Sequence, residues 1–352
     1  MWKDSKIDFF TNIWQKKIYF QKEMFDKKYL SPLNPDFFKN LLNRKNVIAR
    51  KKNKVHLIHH VELFSKRVQK IQQNFDFIPH WRFDDCMMSL SPLNGGVGNH
   101  KDYYDVFLVQ VYGKKKWIVG KNKEEFICDV GDVLYIPPNQ FHDGIALDHD
   151  SITLSVGFRS PSIGEMVTMM LTDLDEQKIL SNESIRYKDN ATKKDFNTRD
   201  VLTDQHINKL KKILIQQILK KDSLIKWFGC LMTMPKRWPQ KITKSLDFSR
   251  ITLSKDEQKE YASWKKEKGQ YFIWNPRIKK IFYLNSYHEE GQNLLFLDGN
   301  IFYLPHSRDA LLLQELISRK KIVLGNESTL CEKVLYYLIK WKVLNSRIIF
   351  QK

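Results

Sequence analysis

Two side chains with metal-ligand chemistry stand two residues apart in a glycine-rich stretch. His100 and Asp102 follow the run Gly95-Gly96-Val97-Gly98-Asn99. On a β-strand this spacing places both side chains on one face, and the glycines allow the tight turn that leads into such a strand. An imidazole and a carboxylate make two thirds of a metal site. The pair alone is a weak signal, because the same spacing recurs elsewhere in the chain, for example at His60 and Glu62.

A third candidate ligand, His142, follows a turn, a short apolar strand and two prolines. Residues 131–136 predict the turn and the strand, and Pro137-Pro138 end it. A cupin barrel uses this succession to bring its last ligand back to the first two. His100, Asp102 and His142 would then form a two-histidine, one-carboxylate triad, which leaves coordination positions open and is typical of non-haem Fe(II) oxygenases. Zinc would favour a more closed set of ligands.

An enzyme of this kind that uses 2-oxoglutarate also needs a cation inside the barrel, to hold the far carboxylate of the cosubstrate. The run Gly113-Lys114-Lys115-Lys116-Trp117 follows the metal-binding segment. Strand alternation places Lys115 on the face of Trp117, and Lys116 on the face of Ile118. The inward cation is Lys115 if Trp117 points into the barrel, and Lys116 in the other phase. Periodicity leaves both open, and a lone lysine is more often exposed.

The elements that must position these residues change character along the chain. Residues 1–80 predict mainly helices, and residues 81–160 predict short strands punctuated by Gly, Asn, Asp and Pro, as in a jelly-roll barrel. Residues 161–240 return to helical periodicity. Residues 241–352 mix strands and helices in a small module that suggests a winged helix. We therefore expect an α+β protein whose metal site lies in a jelly-roll core.

Composition excludes several classes of protein. The 352 residues are 42% hydrophobic, and no apolar run approaches the roughly 20 residues of a membrane span. The four cysteines form no C-x-x-C pair, which predicts reduced thiols in a cytoplasmic protein. The net charge of +19 attracts nucleic acid. The lysines are spread along the whole chain, however, and a solvated surface explains them equally well.

Several stretches of the sequence resemble one family, the bacterial ribosomal oxygenases, which belong to the JmjC and cupin group of Fe(II)/2-oxoglutarate oxygenases. The stretches in the core are residues 81–85 (WRFDD), 95–105 (GGVGNHKDYYD), 113–117 (GKKKW), 131–138 (GDVLYIPP) and 155–159 (SVGFR). Residues 14–17 (WQKK) and 226–229 (KWFG) match outside it. The resemblance spans most of the chain and is loosest in the last hundred residues.

The resemblance implies a layout and an activity. The layout is a double-stranded β-helix (jelly-roll, JmjC/cupin) core, a helical dimerisation region in residues 161–240 and a winged-helix-like domain in residues 241–352. The activity is hydroxylation of a side chain of a large-subunit ribosomal protein, arginine in the bacterial branch, by a homodimer that uses Fe(II), 2-oxoglutarate and O2. By this resemblance His100, Asp102 and His142 fall on the iron ligands. Lys115 falls on the cation that binds 2-oxoglutarate, and Thr153 lies near the cosubstrate.

Two features bear on the choice of substrate. Residues 121–130 are much shorter than the matching family segment, which helps to shape the substrate groove. Tyr103, Tyr104 and Asp105 adjoin the metal motif. They could contact a cationic substrate, and they are equally suited to packing or capping the strand.

Two rival readings remain open at the level of sequence. One is a metal-dependent cupin enzyme that does not use 2-oxoglutarate. Lys115 argues against it, because such a reaction has no dicarboxylate to anchor. The other is a binding module with an idle barrel, whose basic C-terminal region contacts RNA or the ribosome through Tyr271, Phe272, Trp274 and Arg277.

Overall fold

The structure is a computed structural model. It describes residues 5–45, 47–176, 203–234, 246–248, 250–267, 270–274, 280–283, 293–304, 307–318, 322–325, 329–341 and 343–348. The helices are α1 Lys6–Asn12, α2 Lys27–Leu30, α3 Pro35–Leu42, α4 Lys66–Gln72, α5 Ile163–Glu176, α6 Asp204–Gln217, α7 Lys221–Thr233, α8 Lys255–Lys266, α9 Ser307–Ser318 and α10 Thr329–Lys340. The strands of the first half are β1 Tyr19–Gln21, β2 Ile48–Lys52, β3 Val55–His59, β4 Phe83–Ser91, β5 His100–Lys101, β6 Tyr104–Tyr112, β7 Lys115–Val119, β8 Glu124–Cys128, β9 Val133–Ile136, β10 Phe141–Ala146 and β11 Ser151–Arg159. Those of the second half are β12 Leu246–Asp247, β13 Gln270–Trp274, β14 Lys280–Tyr283, β15 Asn293–Leu297, β16 Asn300–Leu304 and β17 Leu344–Ile348.

The chain divides into two compact units, Met1–Ser162 and Ile163–Lys352. The division into parts at residues 80, 160 and 240 stays a prediction.

The first unit is a jelly roll made of two facing antiparallel sheets. Its seven-stranded sheet has the order β1-β9-β6-β11-β4-β3-β2, and its four-stranded sheet has the order β5-β10-β7-β8. The expectation of an α+β protein with a jelly-roll core is therefore confirmed. The sequence did not predict β8, because residues 124–128 begin with two glutamates, which have low strand propensity.

The central strands of the larger sheet are buried on both faces because their side chains alternate between two layers. On β6, Phe107 and Val109 face a core shared with the helices, where Phe9 of α1 also packs. Val106 and Leu108 face the interior of the barrel. This alternation is the period of two that any strand imposes on its side chains. It leaves one face of each strand free to build the inner wall of the barrel.

The second unit combines helices with two small sheets. The four-stranded sheet has the order β12-β16-β15-β14, and β13 pairs with β17. The sequence predicted one helix from Asp204 to Lys221, whereas Lys220, in an extended conformation, separates α6 from α7. Phe272, proposed above to stack on RNA, is buried in the core of this unit, and Arg277 lies outside the described residues. The winged-helix assignment stays a prediction.

No helix in the described part of the chain combines the length and the apolar character needed to cross a membrane.

Candidate metal centre

The three predicted ligands meet at one end of the smaller sheet. Strand β5 pairs with β10 so that His100 lies directly opposite His142, with ring centroids 4.3 Å apart. Asp102 directly follows β5, and its Oδ2 lies 3.9 Å from Nε2 of His100 and 3.7 Å from Nε2 of His142. One ligand atom from each residue lies within 4.8 Å of the other two. Within the described ranges, no other group of three or more His, Cys, Asp or Glu side chains comes together in this way.

Backbone carbonyls fix the orientation of both imidazole rings. Nδ1 of His100 lies 2.8 Å from the carbonyl oxygen of Gly98, and Nδ1 of His142 lies 3.0 Å from that of Gln140. A carbonyl oxygen only accepts hydrogen bonds, so Nδ1 carries the proton in each ring and Nε2 keeps its lone pair. Metal-binding histidines are commonly held this way. Both Nε2 atoms are thus available to a cation beside Asp102.

The two histidines differ in their exposure to solvent. The side chain of His142 is 4% exposed, and that of His100 is 30% exposed. Burial lowers the pKa of His142 below its ordinary value. The neutral imidazole, which is the form that binds a metal, is therefore favoured at this position.

The donor set fits iron(II). Two imidazole nitrogens and one carboxylate oxygen are the ligands of the non-haem iron triad. The side chain of Asp102 is 44% exposed, so the cluster opens towards solvent on one side. A cation held here would keep positions for further ligands on that side.

The glycine-rich segment before His100 lies against β10. Backbone hydrogen bonds join Asn94 N–H to Ala146 O (2.9 Å) and Ala146 N–H to Gly95 O (3.0 Å). At Gly96 a Cβ would lie 2.3 Å from the carbonyl oxygen of Gly144, so only glycine fits. This close contact sets the path along which the chain reaches His100.

Lys115 is the inward cation of β7. It is 2% exposed, and its Nζ donates a hydrogen bond to Oγ of Ser91 at 3.2 Å. Nζ also lies 4.9 Å from the ring centroid of Trp117, which is buried on the same face of the strand. Lys116 points the other way and pairs with Glu125 at 3.3 Å. Strand β7 therefore points Lys115 and Trp117 into the barrel.

Burial determines the acid–base behaviour of Lys115. Removal from water lowers the pKa of Lys115 from 10.5 to about 8. Lys115 forms no ion pair with any residue that the structure describes. A carboxylate that enters the barrel would therefore meet a buried cation.

Thr153 belongs to a polar patch on the inner face of the larger sheet. It is buried, and its Oγ1 donates to Oε1 of Gln110 at 2.9 Å. Gln110 in turn donates through Nε2 to Oγ of Ser151 at 3.0 Å. Ser91, the partner of Lys115, lies opposite Ser151 in the register of β4 and β11. The inner wall of the barrel is therefore polar near Lys115, as a pocket for a small polar molecule requires.

The sequence analysis missed Ser91 and Gln110. A usable signal was present, because small polar residues alternate with apolar ones at Ser89 and Ser91 on β4, and at Ser151, Thr153 and Ser155 on β11. Alternation of this kind on a strand whose apolar residues are buried indicates a polar inner face.

Of the three residues next to the metal motif, Asp105 is structural. It is fully buried and accepts hydrogen bonds from Tyr135 Oη (2.6 Å), Gln15 Nε2 (2.9 Å) and Arg82 (3.0 Å). Its carboxylate is therefore not available to a substrate. Tyr103, by contrast, is 53% exposed.

Comparison with known proteins gives a consistent result. Residues 70–128 and 121–166 match the JmjC domain family. The chain is 28% identical over 265 residues to "Ribosomal protein uL16 3-hydroxylase" of Escherichia coli (strain K12), covering 63% of this chain and 69% of that protein. It is 34% identical over 163 residues to a "Probable ribosomal oxygenase" of Haemophilus influenzae, covering 40% of this chain and 38% of that protein.

Solved structures show the same fold. The ribosomal oxygenase YcfD from Escherichia coli in complex with cobalt and 2-oxoglutarate superposes with a TM-score of 0.71 at 22% identity, covering 98% of both chains. The complex of YcfD with cobalt and succinic acid gives a TM-score of 0.72 at 21% identity, also over 98% of both chains.

Proposed function

This chain is a JmjC-domain oxygenase related to the ribosomal oxygenases, and from that premise we propose that it hydroxylates a side chain of a large-subunit ribosomal protein. The cofactors are iron(II), 2-oxoglutarate and dioxygen. We further propose that the hydroxylated residue is an arginine and that the chain forms a homodimer. We also propose that it contacts the ribosome or its RNA and acts in the cytoplasm.

His100, Asp102 and His142 would hold the iron. The carbonyl oxygens of Gly98 and Gln140 keep the two rings turned so that both Nε2 atoms face Asp102. The chemistry that iron(II) supplies when bound is a coupled oxidation, in which 2-oxoglutarate and dioxygen give succinate, carbon dioxide and one oxygen atom inserted into a substrate C–H bond.

Lys115 would bind the far carboxylate of 2-oxoglutarate inside the barrel. Its Nζ is held by Ser91 and lies over the ring of Trp117, so the cation is placed before the cosubstrate arrives. Thr153 and Gln110 extend the polar surface of the inner wall. Apolar side chains such as Val119 and Leu134 line the remaining interior and exclude water.

One observation supports this function most strongly, namely the buried ammonium group of Lys115, which forms no ion pair with any described residue. An isolated charge in a low-dielectric interior is unfavourable unless a partner compensates it. A cupin enzyme without 2-oxoglutarate, or an idle binding module, has no dicarboxylate to bind there and gives no reason to keep this lysine. The dicarboxylate cosubstrate therefore explains both the metal ligands and the buried cation.

The test is release of succinate from 2-oxoglutarate by the full chain with Fe(II) in air, with and without total ribosomal protein. Mass spectrometry then searches the ribosomal proteins for one added oxygen. We expect a mass shift on one large-subunit protein that is lost in His100→Ala and kept in His149→Ala, which alters an exposed histidine outside the metal cluster.

Two other outcomes would revise the proposal. Succinate release with no modified ribosomal protein would support the use of iron and 2-oxoglutarate, and would show that the substrate is not a ribosomal protein. If the chain binds metal but releases no succinate, it is a cupin of another activity or a binding module.

A further inference from the structure

A group of cations lies beside the metal centre and plays no part in the proposed chemistry. We call Arg50, Lys51, Lys52, Lys54 and Lys101 the basic rim. All five side chains are exposed. The first four belong to the hairpin of β2 and β3, in which β2 is the edge strand of its sheet. The hairpin cations form no ion pair with any residue in the described ranges. Their charge is therefore available to a partner.

The hairpin is attached to the segment that carries the metal ligands. Asn53 and Lys54 both have positive φ (47° and 66°), the conformation of a tight two-residue hairpin turn. From this turn Nδ2 of Asn53 donates a hydrogen bond to the carbonyl oxygen of Val97 at 2.9 Å. The next residue, Gly98, orients His100. The tip of the hairpin thus lies at the rim of the metal centre.

Exposed aromatic rings flank the remaining cation of the rim. Nζ of Lys101 lies 5.5 Å from the ring centroid of Tyr103 and 5.7 Å from that of Phe141. Tyr103 is 53% exposed and Phe141 is 48% exposed. The three side chains adjoin His100, Asp102 and His142 in the sequence. Large exposed aromatic rings next to cations are the elements with which proteins bind single-stranded nucleic acid, through base stacking and phosphate contacts.

The hairpin that carries most of the rim has no carboxylate of its own, because residues 48–59 include neither Asp nor Glu. Asp102, which follows Lys101, belongs to the metal cluster. Charge complementarity therefore favours a polyanion.

We propose that the basic rim binds a single-stranded segment of RNA beside the metal centre. Phosphates pair with the hairpin cations, which project from both faces of the exposed edge strand β2, and bases stack on Tyr103 and Phe141. One consequence rests on the proposed function. A basic rim repels a free cationic protein and attracts the same protein bound to RNA, so the enzyme acts on its substrate in an RNA-bound, partly assembled state.

The binding test uses the full chain without metal or 2-oxoglutarate, and a fluorescein-labelled single-stranded RNA of about 20 nucleotides and mixed sequence. Fluorescence anisotropy gives the dissociation constant from about 50 to 200 mM salt. The variant Arg50→Gln/Lys51→Gln/Lys52→Gln/Lys54→Asn removes the hairpin charge, and asparagine tolerates the positive φ at position 54. The matched control, Lys27→Gln/Lys28→Gln/Lys66→Gln/Lys70→Gln, removes the same charge from α2 and α4.

We expect the hairpin variant to bind at least about ten-fold more weakly, and its slope of log affinity against log salt to fall by about 3, which is about 0.7 for each lost contact. The control should keep the affinity of the parent chain. Tyr103→Ala, which removes a stacking ring and no charge, should weaken binding by about ten-fold with an unchanged slope.

Three results would overturn this inference. The hairpin variant could bind RNA as well as the parent chain, the control could lose as much affinity, or polyglutamate could compete as well as unlabelled RNA. A different result bears on the proposed function alone. If RNA binding depends on the rim but no ribosomal protein is hydroxylated, the surface stands and the proposed function is wrong. If both hold, the hairpin variant should lose turnover on RNA-bound substrate and gain it on free substrate, because the repulsion of the free protein is removed.

Discussion

At the scale of single residues, Lys115 is held in a state that the free protein does not favour. Lowering its pKa from 10.5 to about 8 means that folding with Lys115 protonated costs about 3 kcal/mol of stability. The hydrogen bond that Lys115 donates to Ser91 and the contact with the ring of Trp117 offset only part of the desolvation penalty. In the proposed function a bound carboxylate would supply the remaining compensation, which would link cosubstrate binding to protonation of Lys115.

This linkage predicts opposite responses of affinity and stability to pH. Below about pH 8 the ammonium is charged and should bind 2-oxoglutarate. Above it the amine is neutral, and the dissociation constant should rise by about ten-fold per pH unit. Between about pH 8 and 10.5 the unfolded chain binds more protons than the folded chain, so the free energy of unfolding should rise over the same interval. The measurements are equilibrium dialysis of labelled 2-oxoglutarate under nitrogen, and urea unfolding of the free protein.

Two variants isolate the contribution of Lys115. In Lys115→Arg the charge persists, so the affinity should not vary with pH over this range. Lys115→Met should lose most of the affinity, and its stability should show no rise between pH 8 and 10.5. Lys116→Met alters the half-buried neighbour, whose side chain points away from the barrel, and should behave as the parent chain. An unchanged pH response in Lys115→Met would assign the titration to another group.

At the scale of secondary-structure elements, the metal centre depends on how closely one loop approaches one strand. The segment from Asn94 to Gly98 packs alongside β10, and at Gly96 the two backbones leave no space for a side chain. Backbone atoms cannot move aside as the end of a flexible side chain can. The position of His100 opposite His142 therefore depends on a glycine that touches no ligand.

We predict that Gly96→Ala displaces this loop and weakens metal binding. The new methyl group would lie 2.3 Å from the carbonyl oxygen of Gly144, so the loop must shift and His100 with it. A loss of about ten-fold to a hundred-fold in Mn(II) affinity is expected, as for changes that disturb the support of metal ligands. Isothermal titration with Mn(II) measures it. Leu93→Ala, at an exposed position of the same loop, is the control and should bind as the parent chain does.

The same elements show what the sequence could and could not predict. The types and spacing of His100, Asp102 and His142 were sufficient to propose the triad. The pairing of β5 with β10 was not predictable, because β5 has only two residues and β10 contains His, Asp and Gly, which carry little strand signal. The phase of β7 stayed ambiguous because Trp117 and Ile118 are both apolar. Only the packed barrel distinguishes them.

At the scale of the whole molecule, the described helices α5 and α6 of the second unit each carry an exposed apolar stripe. On α5, Ile163, Val167 and Leu171 are 76%, 42% and 45% exposed at a spacing of four residues. On α6, Leu210 and Leu214 are 44% and 40% exposed at the same spacing. Such a stripe lies along one face of a helix. These faces support the proposed homodimer, in which a second copy of the chain would cover them.

We predict that Leu210→Glu/Leu214→Glu converts the dimer to a monomer, because two carboxylates would have to be buried in the interface. The control Gln205→Glu/Gln216→Glu adds the same charge at exposed polar positions of the same helix. Sedimentation equilibrium of the full chain gives the mass of each protein. A parent chain that sediments as a monomer, or a dimer that survives the leucine changes, would exclude this interface.

The placement of the thiols has a practical consequence. All four cysteines are buried, Cys86 and Cys128 in the first unit and Cys230 and Cys331 in the second. Burial raises the pKa of Cys128 to about 12 and also raises that of Cys86, so neither forms the reactive thiolate in the closed structure. Each unit therefore contains two buried thiols that react only when that unit unfolds. The rate of their alkylation, read by peptide mapping, would measure the unfolding of each unit separately, without any added label.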